Sequence, residues 1–312
     1  MKIAAADLGG THSRFALFTK SAQGLALESS CTLPSQSADF RSLLAEAVRQ
    51  CPGIKDAGVL SLAAAGPLRG GRIRMTNAPF TVSREGAAMF FPHARILLMN
   101  DFEAQAWACL SGIADDFERL LPGGSNAETE GREVLHAAVG AGTGLGMAWI
   151  TRTLFAAASE AGHALFPFFG KEERDVAAFI QARLGRDWIS AEDVLSGRGL
   201  ALLHECCTGR ASAPEAFTAA EDFAASPCCA LFARFYGRFC RNAALFLLPA
   251  SLVVTGGLAG KTPALVRHPE FSRAFLEGGE TERALLASTP VLLNRHPQSG
   301  LRGAAWAALH KQ

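Results

Sequence analysis

The sequence lacks an excess of charge of either sign. Its 312 residues include 30 lysines and arginines against 29 aspartates and glutamates, a net charge of +1. No basic tract is long enough to follow a phosphate backbone, so nucleic acid is not an expected partner. Charged residues make up 19% and apolar residues 49% of the chain, which is typical of an ordinary globular protein and excludes a disordered one.

Long hydrophobic runs are also missing, since no stretch reaches the length needed to cross a bilayer. The N-terminal residues meet a charge at Asp7, too early for the apolar core of a signal peptide. We therefore expect no association with membranes and a cytoplasmic location. The length is sufficient for two domains, or for one large domain with a divided core.

The eight cysteines include no C-x-x-C pair and no metal-ligand spacing. They stand at positions 31, 51, 109, 206, 207, 228, 229 and 240. A chain of this size does not depend on disulfide bonds, so we expect reduced thiols, mostly buried on helices, and no zinc site.

Two common nucleotide-binding signatures are absent as well. The run Gly140–Gly146 lacks the G-x-G-x-x-G spacing, and a predicted strand follows it where a dinucleotide site needs a helix. No Gly-x4-Gly-Lys-Ser/Thr loop and no protein-kinase catalytic motif is present. A Rossmann-type cofactor site, a Walker A loop and the protein-kinase mechanism are therefore excluded.

What the chain does contain is a short apolar run, Ile96–Met99, that leads directly into Asn100 and Asp101. The run predicts a strand buried on both faces, and helical spacing starts at Phe102. Polar residues at the carboxyl end of a strand lie where open α/β sheets bind their ligands. Asp101 could accept a proton from a substrate hydroxyl there. The alternative role for this aspartate is to cap the following helix.

A glycine–threonine turn occurs between two predicted strands in each half of the chain. The residues concerned are Gly9, Gly10 and Thr11 after Asp7, and Gly142, Thr143 and Gly144 in the second half. A late strand, 252–255, ends in Gly256 and Gly257, and we interpret it as the counterpart of the strand before Asp101. The repetition predicts an internal duplication. Amides and hydroxyls of such turns can hold a polyphosphate, although Gly-Gly is also common in plain hairpins.

Hydrophobic periodicity predicts the order β-β-β-α-β-α-β over the first hundred residues. The helices predicted with helical spacing lie at 37–51, 83–91, 103–110, 173–184, 191–207, 214–223, 227–248 and 301–310. Further strands are predicted at 133–139, 147–150, 252–255 and 291–293. Alternation of this kind indicates an α/β protein.

Nine stretches, taken together and in order, resemble the bacterial glucokinase family of the sugar-kinase/actin-like superfamily. They are Asp7–Thr11, Ala65–Pro67, Thr76–Asn77, Asn100–Phe102, Gly140–Gly146, Ser159–His163, Ala191–Gly197, Thr255–Gly257 and Gly300–Ala305. The resemblance implies a duplicated actin-like, ribonuclease-H-like α/β fold of two lobes, with mixed central sheets and a cleft between the lobes. On this basis we expect a small domain of residues 1–110 plus 300–312 and a large domain of residues 111–299.

The resemblance also implies ATP-dependent phosphorylation of D-glucose at its 6-hydroxyl by a homodimer. Asp101 is then the general base, and the sugar is bound by Asn77, Asn100, Asp101, Glu160, His163 and Glu192. The nucleotide phosphates are bound by Asp7, Gly9, Gly10, Thr11, Gly142, Thr143, Gly144, Gly256 and Gly257. Asp7 would also orient the waters of a bound Mg²⁺.

Other interpretations stay open at this point. Taken alone, Glu160 is a solvated surface acid, His163 a core histidine, and Glu192 an acid in the first turn of a helix. Asn77 could simply shape a turn, and Ala161 stands where the family usually has a glycine. A kinase for another hexose or amino sugar, a sugar-sensing regulator without catalysis and a filament-forming actin-like protein are the alternative functions.

Overall fold

Contacts within the chain divide it into two units, each with its own sheet and hydrophobic core. The computed structural model describes residues 1–21, 24–36, 39–124 and 129–311. The first unit comprises Met1–Asp116, Thr153–Ala158 and His296–Gln312, and the second comprises Phe117–Arg152 and Ser159–Arg295.

The first unit is built on a mixed five-stranded sheet. Its strands are β1 (Lys2–Leu8), β2 (His12–Ser21), β3 (Gly24–Pro34), β4 (Val59–Ala64) and β8 (Arg95–Asn100), while β5 (Leu68–Arg69), β6 (Arg72–Arg74) and β7 (Thr81–Ser83) form a separate small sheet. The order in the main sheet is β3-β2-β1-β4-β8. The strands β1 to β3 pair antiparallel, and β4 and β8 extend the sheet in parallel.

Strand β8 lies at the edge of this sheet, and it is partly buried. Leu98 and Met99 are both buried, and because successive residues of a strand point to opposite faces, both faces of β8 are covered there, as predicted. Ile96 and Leu97 are only partly buried, and Arg95 is exposed. Strand β4 is covered along its whole length, since all six of its residues are buried.

The described residues of the first unit form four α-helices, namely α1 (Phe40–Gln50), α2 (Arg84–Ala88), α3 (Asp101–Ala108) and α12 (Ser299–His310). The helix predicted from residue 37 begins at Phe40 because Asp39 caps it, while residues 37 and 38 lie outside the described part of the chain. The helix predicted over 83–91 is reduced to α2, with Ser83 as its cap. Helix α12 crosses α3 so closely that a Cβ on Gly303 would lie 1.8 Å from the Ala104 oxygen.

The second unit repeats this arrangement with additional helices. Its strands are β9 (Glu118–Leu121), β10 (Val134–Ala141), β11 (Leu145–Thr151), β13 (Ser251–Thr255) and β14 (Val291–Leu293). Strand β12 (Ala156–Ser159) is part of the same sheet, and its last residue belongs to the second unit. Its helices are α4 (Gly170–Leu184), α5 (Ala191–Val194), α6 (Gly197–Thr208), α7 (Pro227–Leu247), α8 (Gly257–Lys261), α9 (Ala264–Arg267), α10 (Pro269–Phe275) and α11 (Glu280–Ala287).

The order β11-β10-β13-β14 matches the order β2-β1-β4-β8, with the same parallel and antiparallel pairings. This repeat confirms the predicted duplication. It also shows that one predicted equivalence is wrong, because β13 pairs with β10 and is therefore the counterpart of β4. The counterpart of β8 is β14, whose three residues are followed by Asn294.

Two predicted helices of the second unit differ from the structure. The helix over 191–207 is divided, since Ser190 caps α5 and Ser196 caps α6. The helix over 214–223 is wrong, because this segment contains only single 3-10 turns at Pro214–Ala216 and Phe223–Ala225. The short helices α8 to α11 were not predicted, since helices of four to eight residues show little periodicity.

The longest helix, α7, packs through the core of the second unit and contains Cys228, Cys229 and Cys240. All eight cysteines are free thiols, and five of them are buried. Across the residues that the structure describes, no helix combines the length and the apolar character of a membrane span.

Candidate functional site

The Gly9–Thr11 turn and Asp101 lie at the same end of the first sheet, directly after the carboxyl ends of β1 and β8. Leu8 at the end of β1 is aligned with Ala64 of β4, and Ala64 is aligned with Asn100 of β8. Strand β4 lies between β1 and β8, so the carboxyl ends of β1 and β8 lie about two strand spacings apart, ~10 Å. The predicted position of Asn100 and Asp101 at the carboxyl end of a strand is confirmed.

Asn100, and not Asp101, is the N-cap of α3. Its Oδ1 accepts a hydrogen bond of 2.8 Å from the Phe102 N–H, and its Nδ2 donates one of 3.0 Å to the Gly66 oxygen. The capping role considered for Asp101 is therefore wrong, because the preceding amide fills it. Asp101 is the first residue of α3 and is half-buried. The site consequently presents a carboxylate whose neighbour secures the helix terminus.

The turn after β1 packs against the segment around Asn77. A Cβ on Gly10 would lie 2.6 Å from the Asn77 Cβ and 3.0 Å from its oxygen, so only glycine fits. The Gln36 side chain ties the two segments together, since its Nε2 donates bonds of 2.7 Å to the oxygens of both Gly10 and Asn77. Asn77 itself is exposed. Gln36 lies outside every matching stretch and shows no local signal, so its role could not be predicted from the sequence.

Asp7 introduces a charge beside this turn. It is aligned with Arg14 across the hairpin, and the Arg14 Nη1 lies 3.8 Å from the Asp7 Oδ2. Burial raises the pKa of Asp7, and the nearby guanidinium opposes this increase. The side chain remains 22% exposed. A Cβ on Gly300, near the start of α12, would lie 2.7 Å from the same oxygen, so the carboxylate rests on bare backbone.

In the second unit, three segments meet at the turn between β10 and β11. Gly142 donates a 2.8 Å hydrogen bond to the Gly144 oxygen, and its own oxygen accepts one of 2.8 Å from Gly197. Gly256 follows β13 with φ of +89°, and a Cβ there would lie 2.7 Å from the Ala141 oxygen. The predicted phosphate-binding glycines of this unit are thus neighbours in space.

The backbone of Leu145 contacts both segments that carry the predicted sugar-binding residues of this unit. Its N–H donates a 2.9 Å hydrogen bond to the Glu192 Oε2. Its oxygen faces Gly162, where a Cβ would lie only 2.2 Å away. Gly162 stands in the 3-10 turn Ala161–His163, which follows Glu160, so the segment with Glu160 and His163 lies beside the segment with Glu192.

Glu160 and His163 form a pair on this turn, with the His163 Nε2 3.4 Å from the Glu160 Oε2. Their side chains are 65% and 64% exposed, so the interpretation of His163 as a core histidine is wrong. Ala161 keeps an ordinary negative φ, and its N–H donates to the Ser159 hydroxyl at 3.3 Å. The extra methyl is therefore accommodated, and the glycine that the packing requires is Gly162.

Glu192 is held in place by the buried residue next to it. The Asp193 carboxylate, in a residue only 1% exposed, accepts bonds of 2.9 and 2.7 Å from the Ser190 N–H and hydroxyl, and further bonds from Arg186 and Arg198. Burial raises the pKa of Asp193, but the hydrogen bonds and the Arg186 charge outweigh it and lower the pKa overall. The spacing of Ser190 and Asp193 is a capping-box signal that is visible in the sequence and predicts a helix start at this point.

The chain is similar to known proteins over nearly its whole length. A family model described as Glucokinase matches residues 4–311. The glucokinase of Rhizobium meliloti (strain 1021) is 32% identical over 96% of this chain and 89% of its own length. The glucokinase of Chelativorans sp. (strain BNC1) is 31% identical with the same coverage.

Solved structures show the same fold. A glucokinase from Balamuthia mandrillaris in complex with glucose superposes with a TM-score of 0.80 at 20% identity, covering 99% of this chain and 93% of that one. A ROK family glucokinase from Streptomyces griseus in complex with glucose and AMPPNP gives a TM-score of 0.61 at 18% identity, covering 98% of both chains. The predicted actin-like α/β fold class is confirmed.

Proposed function

The chain belongs to the glucokinase family, and we propose that Asp101 is the general base with which it phosphorylates glucose. The activity is the ATP-dependent transfer of a phosphoryl group to glucose. The carboxylate would take the proton of the sugar 6-hydroxyl as the oxygen attacks the terminal phosphorus of ATP. The observation that supports this role is the location of Asp101 at the same end of the first sheet as the Gly9–Thr11 turn. Asn100 caps the helix, so the Asp101 side chain is not needed as the cap.

The two glycine–threonine turns supply the phosphate contacts in this proposal. Backbone amides and threonine hydroxyls can bind phosphate oxygens without a lysine. Phosphoryl transfer requires little covalent chemistry from the protein, so catalysis depends on positioning and on charge neutralisation. The tight packing at Gly10 and at Gly256 supports this role, because it fixes the backbone of each binding segment.

The sugar contacts in the second unit come from Glu160, His163 and Glu192. Carboxylates and an imidazole can satisfy hydroxyl groups that act both as donors and as acceptors. Glu192 uses one oxygen for the Leu145 N–H, which leaves its second oxygen for a sugar hydroxyl. In the first unit the Asn100 amide is already engaged by Phe102 and Gly66, so we assign it mainly to positioning Asp101.

Asp7 is the residue that would hold a magnesium ion, through bound water. Burial raises the pKa of the Asp7 carboxyl, and the Arg14 guanidinium at 3.8 Å offsets only part of this increase. A cation beside the carboxylate would stabilise its ionised form further. When bound, Mg²⁺ neutralises charge on the phosphate oxygens of the nucleotide. We also expect a cytoplasmic homodimer, and analytical ultracentrifugation of the protein would check its oligomeric state.

Replacement of Asp101 tests the proposal. We expect Asp101→Ala to lower kcat by roughly 10²–10⁴-fold, the usual contribution of a positioned general base, while glucose still binds. The matched control is Asp115→Ala, which makes the same change at an exposed aspartate of the same unit. Steady-state kinetics with Mg-ATP and calorimetric titration with glucose measure the two effects. A near-normal kcat for Asp101→Ala would contradict the assignment.

A further inference from the structure

Arg295 is the first residue beyond the pairing of β14 with β13. The Asn294 N–H still donates a 2.8 Å hydrogen bond to the Val254 oxygen, which extends the pairing by one residue past β14. Arg295 therefore lies at the carboxyl end of the second sheet, where open α/β sheets bind their ligands. The neighbouring strand β13 ends at the same place and leads into Gly256 and Gly257. Arg295 thus lies beside the segment to which the proposed function assigns the nucleotide.

The short helix α8 holds the Arg295 side chain. The Arg295 Nε donates a 3.2 Å hydrogen bond to the oxygen of Gly260, and the residue is exposed. This bond uses only one of the five N–H donors of the guanidinium, the other four being on the two Nη atoms. A guanidinium held at one edge in this way keeps its planar face for a ligand, and such a face stacks well on aromatic rings.

The nearby acid Glu118 is committed to another arginine. Its carboxylate accepts hydrogen bonds of 2.8 and 2.7 Å from Arg267. These bonds are the main cause of the lowered pKa of Glu118, and the charges of Arg267 and then of Arg295 add to it, against the effect of burial. One carboxylate therefore serves two guanidinium groups, and Arg267 holds the direct contacts. Much of the Arg295 charge is left uncompensated.

One side of α8 is bare backbone. Gly257 and Gly260 are three residues apart and hence lie on one face of the helix. A Cβ added to either glycine would meet nothing within 4 Å outside the helix and its chain neighbours. Gly256 differs, because a Cβ there would lie 2.7 Å from the Ala141 oxygen, so the start of α8 is fixed in place. A planar ligand group can therefore approach the backbone of α8 closely, beside the Arg295 guanidinium.

This glycine face lies beyond the segments proposed to bind the phosphates. A Cβ on Gly142 would lie 3.8 Å from the Gly257 nitrogen, so the Gly142–Gly144 turn adjoins the first residue of α8. Gly260 lies three residues further, about 4.5 Å along the helix axis. Strand β13 lies between β10 and β14, so Arg295 is about two strand spacings, ~10 Å, from the turn. With the phosphates at the turn, the part of a nucleotide that reaches Arg295 is its base.

We propose that Arg295 is a nucleotide-binding residue, whose guanidinium stacks on the purine base while the base lies on the glycine face of α8. Stacking of this kind is attractive because the guanidinium is both planar and positively charged. The inference rests on the proposed role of Gly256 and Gly257 in binding the nucleotide. It assigns to Arg295 the preference for a phosphoryl donor that carries a base over a free polyphosphate.

Inhibition of the whole chain by two partial nucleotides tests this role. Adenosine carries the base without phosphates, and inorganic tripolyphosphate carries phosphates without a base, so each is titrated against Mg-ATP at saturating glucose. We expect Arg295→Ala to raise the KM for ATP and the inhibition constant of adenosine by the same factor, roughly 3- to 10-fold. The inhibition constant of tripolyphosphate should stay the same. The matched control is Arg210→Ala, which removes another exposed arginine of this unit and should change none of these constants.

Two further variants separate a contact with the base from a purely structural role. Gly260→Leu adds a side chain where we place the base, and leucine favours a helix more than glycine does. Its Tm should therefore not fall, while the inhibition constant of adenosine rises. Arg295→Lys keeps the charge without the planar group, so it should raise the constant for adenosine by a smaller factor. It decides the question if Arg295→Ala folds poorly.

An unchanged inhibition constant of adenosine in the folded Arg295 variants would overturn the inference, as would wild-type protein that adenosine does not inhibit. An equal rise for tripolyphosphate would also overturn it, because the guanidinium would then act on the phosphates. None of these results bears on Asp101, whose role is tested by kcat. A normal kcat for Asp101→Ala would, in turn, leave the inhibition by adenosine as evidence on Arg295.

Discussion

The hairpins that open the two sheets share one topology and carry opposite chemistry. One pair before the turn, the β1–β2 hairpin aligns Asp7 with Arg14, whereas the β10–β11 hairpin aligns Gly140 with Gly146 at the corresponding place. The first hairpin therefore contributes charged side chains of its own beside the turn, whereas the second hairpin contributes only backbone there, and the charge beside it comes from Glu192 of a separate segment. Topology decides where a turn lies, and the side chains around it decide what it can bind.

The two turns are also held in opposite ways. In the first unit the Gln36 amide donates to the oxygens of Gly10 and Asn77. In the second unit the Glu192 carboxylate accepts from the Leu145 N–H. A side-chain donor secures the first turn, and a side-chain acceptor secures the second. Replacement of an amide by a carboxylate, or of a carboxylate by an amide, should therefore affect the two units differently.

Among changes at the two turns, removal of the charge beside the first turn should have the largest effect on activity. We expect Asp7→Asn to lower kcat by roughly 10²–10³-fold, the usual cost of one preorganised electrostatic contact in phosphoryl or acyl transfer. The exposed Asp56 provides the matched control, and Asp56→Asn should leave kcat unchanged. Steady-state kinetics measures both. Similar rates for the two variants would remove the distinction between the charged and the uncharged hairpin.

The same substitution should not destabilise the fold at neutral pH. The folded-state pKa of Asp7 is raised above its ordinary value of 3.8, so the neutral acid is favoured by folding and the ionised form is disfavoured. The contribution of the neutral Asp7 side chain to the free energy of unfolding is fully present below the unfolded-state pKa, and it is lost as pH rises through the folded-state pKa. Urea unfolding should show Asp7→Asn gaining stability relative to wild type as pH rises from about 4 to 7.

Loss of the acceptor in the second unit should have the next largest effect. Glu192→Ala leaves the Leu145 N–H without its partner and removes a proposed sugar contact. Hydrogen bonds to charged groups contribute about 1.5–3 kcal/mol, so we expect the KM for glucose to rise roughly 10- to 100-fold. Glu192→Gln keeps an acceptor oxygen and should be affected less. An unchanged KM for glucose in both variants would exclude this residue from the sugar site.

A methyl group added to each turn should change the stability of the two units to different extents, because the turns pack against different groups. Gly10→Ala meets the Asn77 backbone, which cannot move away easily, and overpacking of this kind costs about 1–3 kcal/mol of unfolding free energy. Gly144→Ala meets the end of the flexible Glu192 side chain, so stability should change less while the KM for glucose rises. Gly142→Ala, with no contact within 3.4 Å, is the control. Equal losses of stability at Gly10 and Gly144 would show that the two turns are packed alike.

Loss of the donor in the first unit should have the smallest effect. Gln36→Ala removes two neutral hydrogen bonds from an exposed side chain, each worth about 0.5–1.5 kcal/mol. We expect a KM for ATP raised a few-fold and an unchanged KM for glucose. Gln50→Ala, at an exposed amide on the same unit, is the control. A larger effect on glucose than on ATP would contradict the assignment of this turn to the nucleotide.

Much of the fold could be predicted from local pattern. The apolar runs placed β4 and β14 correctly, and they placed β8 with Asn100 at its end. The duplication was visible in the two glycine–threonine turns. Family motifs identified Glu160, His163 and Glu192, and the structure places the two segments that carry them next to each other, on either side of the Leu145 backbone.

Other features depend on contacts between distant segments. The equivalence of β14 with β8 follows from strand pairing, and the bond from Gln36 to Asn77 joins residues that no pattern relates. The choice of Asn100 over Asp101 as cap depends on Gly66, whose oxygen orients the amide. Sequence by itself determined the strands and the longer helices, because side-chain periodicity is set by near neighbours along the chain, whereas helices of four to eight residues were missed. Tertiary structure alone decided which strand ends meet and which polar groups pair, because these depend on long-range register and packing.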